Sequence, residues 1–174
     1  MAANEQHHSL RAPKFQTTTR LLIVVAPYYK DIADQLVKGA CLAIEAAGAS
    51  HETVEVPGAL EVPSAIRIAS RASDYDGFVA LGCVIRGETT HYDTVSNDSS
   101  RALMLLGLDG LAIGNGILTV ENRAQAAARA EVSGQNKGGG AAEAAMHLIA
   151  LSRRYMGKRK GIGFRPDSEN IQIA

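Results

Sequence analysis

Between Gly82 and Asp93 the chain reads GCVIRGETTHYD, which crowds two glycines, an arginine, two acids, two threonines and a histidine together. The glycine spacing is that of G-x-x-x-x-G-K-[ST], the loop that cradles nucleoside triphosphates. Glu88 stands where the lysine belongs, and a carboxylate there would repel the terminal phosphates. What remains is the chemistry of a smaller anion. Glycines let backbone amides approach it, and Thr89 and Thr90 add hydroxyl donors at the start of a helix. A histidine in the position of His91 can move a proton at neutral pH, since its unperturbed pKa is ~6.5, or it can serve as a satisfied structural residue. Arg86 either touches an anion or pairs with a carboxylate.

Other chemistry-bearing residues are scattered along the chain. Tyr28 offers an aromatic face to a planar ring, or else caps the core. Ala59, Leu60 and Glu61 follow a Pro-Gly turn. Asn115, Arg129 and Lys137 lie downstream, and the glycines around Lys137 permit close approach to an anionic ligand or simply connect two helices. Cys41 and Cys83 sit in apolar segments with no C-x-x-C and no histidine at ligand spacing. Buried thiols of a reducing compartment are expected, with no metal site.

The elements that must position these residues alternate. RLLIVVA (Arg20 to Ala26) is a β-branched run of the kind found in strands covered on both faces. Ile32, Leu36, Ala40 and Ile44 recur at helical spacing from about Asp31 to Ala47, and Gly48 is the stop. A second strand is expected over His51 to Val56 and a helix from about Glu61, with Pro63 in its first turn. A third strand covers DGFVALGCV, and helix three runs from Tyr92 to Leu106. A fourth strand is expected over Gly110 to Leu118, with helices from Glu121 to Ala130 and Asn136 to Tyr155. Alternating strands and helices imply an α/β fold: a three-layer α/β/α, flavodoxin-like arrangement with a parallel four-stranded sheet and right-handed crossovers. In such sheets ligands bind beyond the carboxyl ends of the strands. Tyr28, the Gly58–Glu61 turn and the Gly82–Asp93 loop follow strands one to three, and Asn115 falls within or just past strand four.

The length, 174 residues, suits one domain. It is divided into a polar, flexible N-terminal tail (1–19), the α/β domain (20–156) and a basic C-terminal tail (157–174). With 18 basic and 18 acidic side chains the net charge is zero, so bulk electrostatics points to neither nucleic acid nor an acidic membrane. The exception is RRYMGKRK (Arg153 to Lys160), with five cations in eight residues. His7 and His8 lie in the N-terminal tail. No signal-peptide core is read and no apolar run reaches ~18 residues, so a cytoplasmic protein without a membrane span is expected.

Taken in order, VPGALEVP, GCVIRGETTHYD, GNGILTVEN, QAAARA and NKGG resemble the lumazine synthase family, over roughly residues 20 to 155. The resemblance implies condensation of 5-amino-6-(D-ribitylamino)uracil with 3,4-dihydroxy-2-butanone 4-phosphate to 6,7-dimethyl-8-ribityllumazine, releasing water and phosphate, in riboflavin biosynthesis. It implies neither metal nor organic cofactor. Gly87, Glu88 and Thr89 would cradle the phosphate, largely through backbone amides, with Arg129 and Lys137 as charged contacts. Tyr28 would stack on the pyrimidine, with Ala59, Leu60, Glu61, Cys83, Val84, Ile85 and Asn115 around the ring and ribityl chain. His91 is the implied proton-transfer residue. Many members carry phenylalanine where this chain has Leu60 and Asn115. The resemblance further implies a homo-oligomer, a pentamer, with the Asn136–Tyr155 helices around the axis and pockets between chains, so that Tyr28 and His91 come from different subunits. The alternative is a flavin- or lumazine-binding module or scaffold of the same fold without turnover.

Overall fold

A computed structural model describes residues 10–156. The basic segment from 157, the pair His7 and His8, and the first nine residues of the expected N-terminal tail lie outside that range. Four strands, β1 (Arg20–Val25), β2 (Ser50–Glu55), β3 (Gly77–Ile85) and β4 (Ile113–Val120), form one all-parallel sheet in the order β2-β1-β3-β4. Five helices connect and cover it: α1 (Lys30–Ala46), α2 (Glu61–Ala72), α3 (His91–Leu108), α4 (Arg123–Ala130) and α5 (Lys137–Met156).

The sheet is buried on both faces, which is why β1 reads as a continuous apolar run. Leu21, Ile23 and Val25 point with Val79 and Leu81 into a core shared with α1, α4 and α5. Leu22 and Val24 point the other way, with Phe78 and Ala80, towards α2 and α3. The three-layer, flavodoxin-like reading is therefore what the chain adopts. Because β2 lies on one side of β1 and β3 on the other, the connections diverge between β1 and β3, and a crevice opens beyond their carboxyl ends.

β4 starts later than its composition suggests. Gly110 does not open the strand but ends α3, with φ +98° and its N–H donating to the Gly107 carbonyl (3.0 Å), while the Leu111 N–H reaches Leu106 (3.2 Å). Strand four then runs two residues past Leu118, to Val120.

The segment 14–19, assigned by composition to a tail, lies against the domain. Phe15 packs on the α1 side of the core, and its N–H donates to the Ala47 carbonyl (2.9 Å). Arg153 of α5 donates to Thr17 Oγ1 (3.1 Å), Thr19 Oγ1 (2.8 Å) and Asp76 (2.8 Å).

α5 uses its small residues inside the chain. Gly138, Gly139, Ala141, Ala142 and Ala145 are buried against α1 and β4. The contact is tightest at Gly114, where a Cβ would lie 1.8 Å from the Ala141 carbonyl oxygen. That neighbour is backbone, so Gly114→Ala must push α5 off the sheet. A cost of about 3 kcal/mol is expected, the upper part of the usual overpacking range, or a Tm lowered by ~6–12 °C. Gly140→Ala, where a Cβ meets nothing within 4 Å, is the control and should hold or raise Tm. Equal Tm values for the two variants would contradict this packing.

Candidate active site

The crevice holds a cavity of about 470 Å³ lined from three strand ends. Past β1, Ala26 is buried and Tyr28 stands out into solvent at 76% exposure, its ring set edge-on to Tyr29 (centroids 5.1 Å apart). Tyr29 packs on the core and precedes α1, so it braces the exposed ring. Past β2, Pro57, Gly58, Ala59, Leu60 and Glu61 turn into α2, with the Glu61 N–H donating to the Gly58 carbonyl (3.1 Å). The last residues of β3, Cys83, Val84 and Ile85, form the floor. Burial pushes the Cys83 thiol up to about 11, so it stays protonated and lines the cavity as a small apolar group. Neither cysteine is paired.

Beyond β3 the loop supplies Gly87 and Thr89, and α3 supplies His91, Tyr92 and Val95. Glu88 is exposed and does not line the cavity. Gly87 has neither a positive φ nor a crowded Cβ position: an added methyl there would meet nothing within 4 Å. The α3 N-terminus has no side-chain cap, since Thr90 makes no capping hydrogen bond and Thr89 Oγ1 accepts only a long one from the His91 N–H (3.4 Å). Uncapped first-turn amides with the positive end of the helix dipole make an anion site.

Arg86 resolves in favour of the carboxylates. Its Nε donates to both oxygens of Glu121 (2.9 and 3.2 Å), NH1 faces Asp93 (3.3 Å), and the guanidinium lies 4.0 Å from the Tyr92 ring centroid. The Glu121 hydrogen bond, with Asp93 adding to it, pushes the guanidinium pKa further up, so it is charged throughout. Arg123, at the start of α4, reaches Asp31 of α1 (2.6 Å) across the top of the sheet.

Three expected site residues are elsewhere. Asn115 is the third residue of β4, not at its carboxyl end, and its Oδ1 accepts from the Ile117 N–H (3.0 Å). It lines a second, shallower concavity of about 450 Å³ with Arg129, Lys137, Gly140 and Ala144. The two concavities share no lining residue. β4 is an edge strand, so the second one faces outward from the sheet edge rather than into the crevice. Tyr28 and His91, expected from different subunits, line one cavity of one chain. Tyr29, Pro57, Tyr92 and Val95 were not singled out from sequence. Only the adjacency of Tyr29 to Tyr28 and of Tyr92 to His91 hinted at them.

The sequence matches the family model for 6,7-dimethyl-8-ribityllumazine synthase over residues 18–153. The protein of that name from Jannaschia sp. (strain CCS1) is 54% identical over 172 residues, covering 99% of this chain and 96% of that one. Its counterpart from Methylorubrum populi (strain ATCC BAA-705 / NCIMB 13946 / BJ001) is 60% identical over 141 residues, covering 78% and 83% respectively. That from Sphingopyxis alaskensis (strain DSM 13593 / LMG 18877 / RB2256) is 56% identical over 135 residues, covering 78% and 96%.

Proposed function

The chain belongs to the 6,7-dimethyl-8-ribityllumazine synthase family, and we propose that the crevice beyond β1, β2 and β3 is where it brings its substrates together. The enzyme condenses 5-amino-6-(D-ribitylamino)uracil with 3,4-dihydroxy-2-butanone 4-phosphate, releasing water and phosphate. The observation that carries the site assignment is the meeting, in one cavity, of an exposed aromatic face, a loop with open space over its glycine, and an imidazole.

In this reading the pyrimidine lies on Tyr28, over Cys83, Val84 and Ile85, and the ribityl hydroxyls donate to Glu61 beside Ala59 and Leu60. The phosphate sits on the amides of Gly87, Glu88 and Thr89 and on the Thr89 hydroxyl, at the α3 N-terminus. The Glu88 carboxylate, outside the cavity, does not oppose it. This places the ketone near His91. The imidazole takes a proton from the attacking amine and returns it to the departing hydroxyl, so imine formation releases water without a free strong acid or base. Loss of the phosphate is eased by the amides that already hold it. Mixing the two substrates with the protein should produce the fluorescent lumazine far faster than the same mixture without protein. Saturable binding of both without product would favour the non-catalytic module.

The outward cleft of Asn115, Arg129 and Lys137 completes this picture when it closes a neighbour's crevice. The protein is then a homo-oligomer, a pentamer, with small-molecule substrates held between chains. α3 rather than α5 is the helix proposed for the axis: both leave apolar groups exposed (Met104, Leu105 and Leu108 on α3; Leu148, Leu151, Tyr155 and Met156 on α5), but the small residues of α5 are already used against α1 and β4. Among the described residues no helix is long and apolar enough to cross a membrane, so these exposed groups suit another protein surface.

Co-refolding tests the shared site. A His91→Ala chain supplies an intact Arg129 and an Arg129→Ala chain an intact crevice, so about one site in four is whole under random mixing around a ring. Activity well above the mean of the two parents is expected. Tyr28→Ala with His91→Ala should not complement in this way, since both changes damage one cavity. The same yield from both mixtures would sink the division proposed here.

A further inference from the structure

Arg86 directly follows β3, and its N–H donates to the Val120 carbonyl (2.9 Å), extending the β3–β4 pairing by one bond. Everything from Gly87 to Thr90 hangs between that rung and α3. The loop has little to hold its shape, since Gly87 touches nothing through a side chain and Thr90 makes no cap. The Arg86 side chain reaches both rigid ends. It forks onto Glu121 at the end of β4 and meets Asp93 and the Tyr92 ring in the first turn of α3. It does not line the cavity, and its Nε and NH1 are already turned to Glu121 and Asp93.

We propose that Arg86 is a positioning residue, which clamps the end of β4 to the first turn of α3 and so sets the geometry of the Gly87–Thr89 amides and of His91 without touching substrate. This rests on the reading of that loop as the phosphate site. The clamp has two physical parts. The planar guanidinium, with Nε–H turned to Glu121 and NH1 to Asp93, and its stack on Tyr92 fix direction, which an ammonium cannot do. The charge offsets two carboxylates that would otherwise face an incoming dianion. Glu121 and Asp93 are more than half exposed, so the pairs contribute little to global stability, and the effect should be local.

The experiment compares wild type, Arg86→Ala and Arg86→Lys for the KM of each substrate, inhibition by inorganic phosphate, and Tm. Arg86→Ala should raise KM for the butanone phosphate, and weaken phosphate inhibition, by about tenfold (~1.4 kcal/mol). KM for the pyrimidine and Tm should be nearly unchanged. Arg86→Lys, which keeps only the charge, should recover part of the loss. If inorganic phosphate fails to compete with the butanone phosphate in wild type, the phosphate-loop reading itself falls. If it competes and Arg86→Ala leaves that competition intact, the positioning role alone is overturned. Full recovery in Arg86→Lys would likewise overturn it in favour of charge neutralisation. Should Arg86→Ala not fold, Glu121→Gln with Asp93→Asn dismantles the fork while leaving the arginine. A smaller rise in the same KM supports the clamp, and wild-type values contradict it.

Discussion

His91→Ala is expected to lower kcat by ~10²-fold, while both KM values move only a few-fold. The magnitude belongs at the low end of the general acid–base range because condensation of an amine with a ketone is an intrinsically facile reaction, leaving less barrier for a proton-transfer group to remove. The geometry supports a chemical rather than a structural role. His91 is exposed at the rim of the cavity, and its ring has no hydrogen-bond partner among the described residues. Truncating the ring therefore removes no packing, and Tm should be unaffected. His91→Gln is the sharper variant, since an amide can donate and accept hydrogen bonds but cannot carry a proton. It should be as slow as the alanine form. An unchanged kcat with a raised KM would make His91 a binding residue instead.

Arg129→Ala is expected to raise KM for the butanone phosphate by ~10–150-fold and to leave KM for the pyrimidine nearly alone. A charge-assisted hydrogen bond to a phosphate contributes roughly 1.5–3 kcal/mol net, which converts to that span. Arg129 is half-buried in the outward cleft beside Lys137, with NH1 donating to the Gln125 carbonyl one turn back (3.1 Å). That bond sets the direction of the guanidinium and leaves its fork for a ligand. Arg129→Lys should recover only part of the affinity, because a point charge does not match two phosphate oxygens at once. Equal losses for both substrates would contradict the phosphate assignment, as would a wild-type enzyme in which inorganic phosphate does not compete with the butanone phosphate.

Element boundaries were legible where the signal is local. Gly48 ends α1, and its N–H bonds back to Glu45 (3.0 Å), as a helix followed by glycine requires. Gly110 is ambiguous in sequence for an equally local reason. A glycine before an apolar stretch can open a strand or close a helix, and the choice was made by the Leu111 N–H returning to Leu106. The small residues of α5 were legible as a close-packing surface, but not which partner they pack against. Backbone-to-backbone contact with β4 at Gly114 decided that.

By itself the sequence determined the alternation of strands and helices, the parallel sheet, and the gathering of Tyr28, the Gly58–Glu61 turn and the Gly87–His91 loop at strand ends. Each of those follows from periodicity within an element and from the rule that parallel strands share a carboxyl end. Only the tertiary structure decided which of these residues share a cavity. Strand order is a matter of contacts between distant segments, and no local pattern says that β4 stands at the edge. Because it does, Asn115, Arg129 and Lys137 face outward, away from the crevice that holds Tyr28 and His91. The partners of Arg86 were hidden for the same reason. Glu121 is 35 positions away along the chain, and only the β3–β4 pairing brings its carboxylate under the guanidinium.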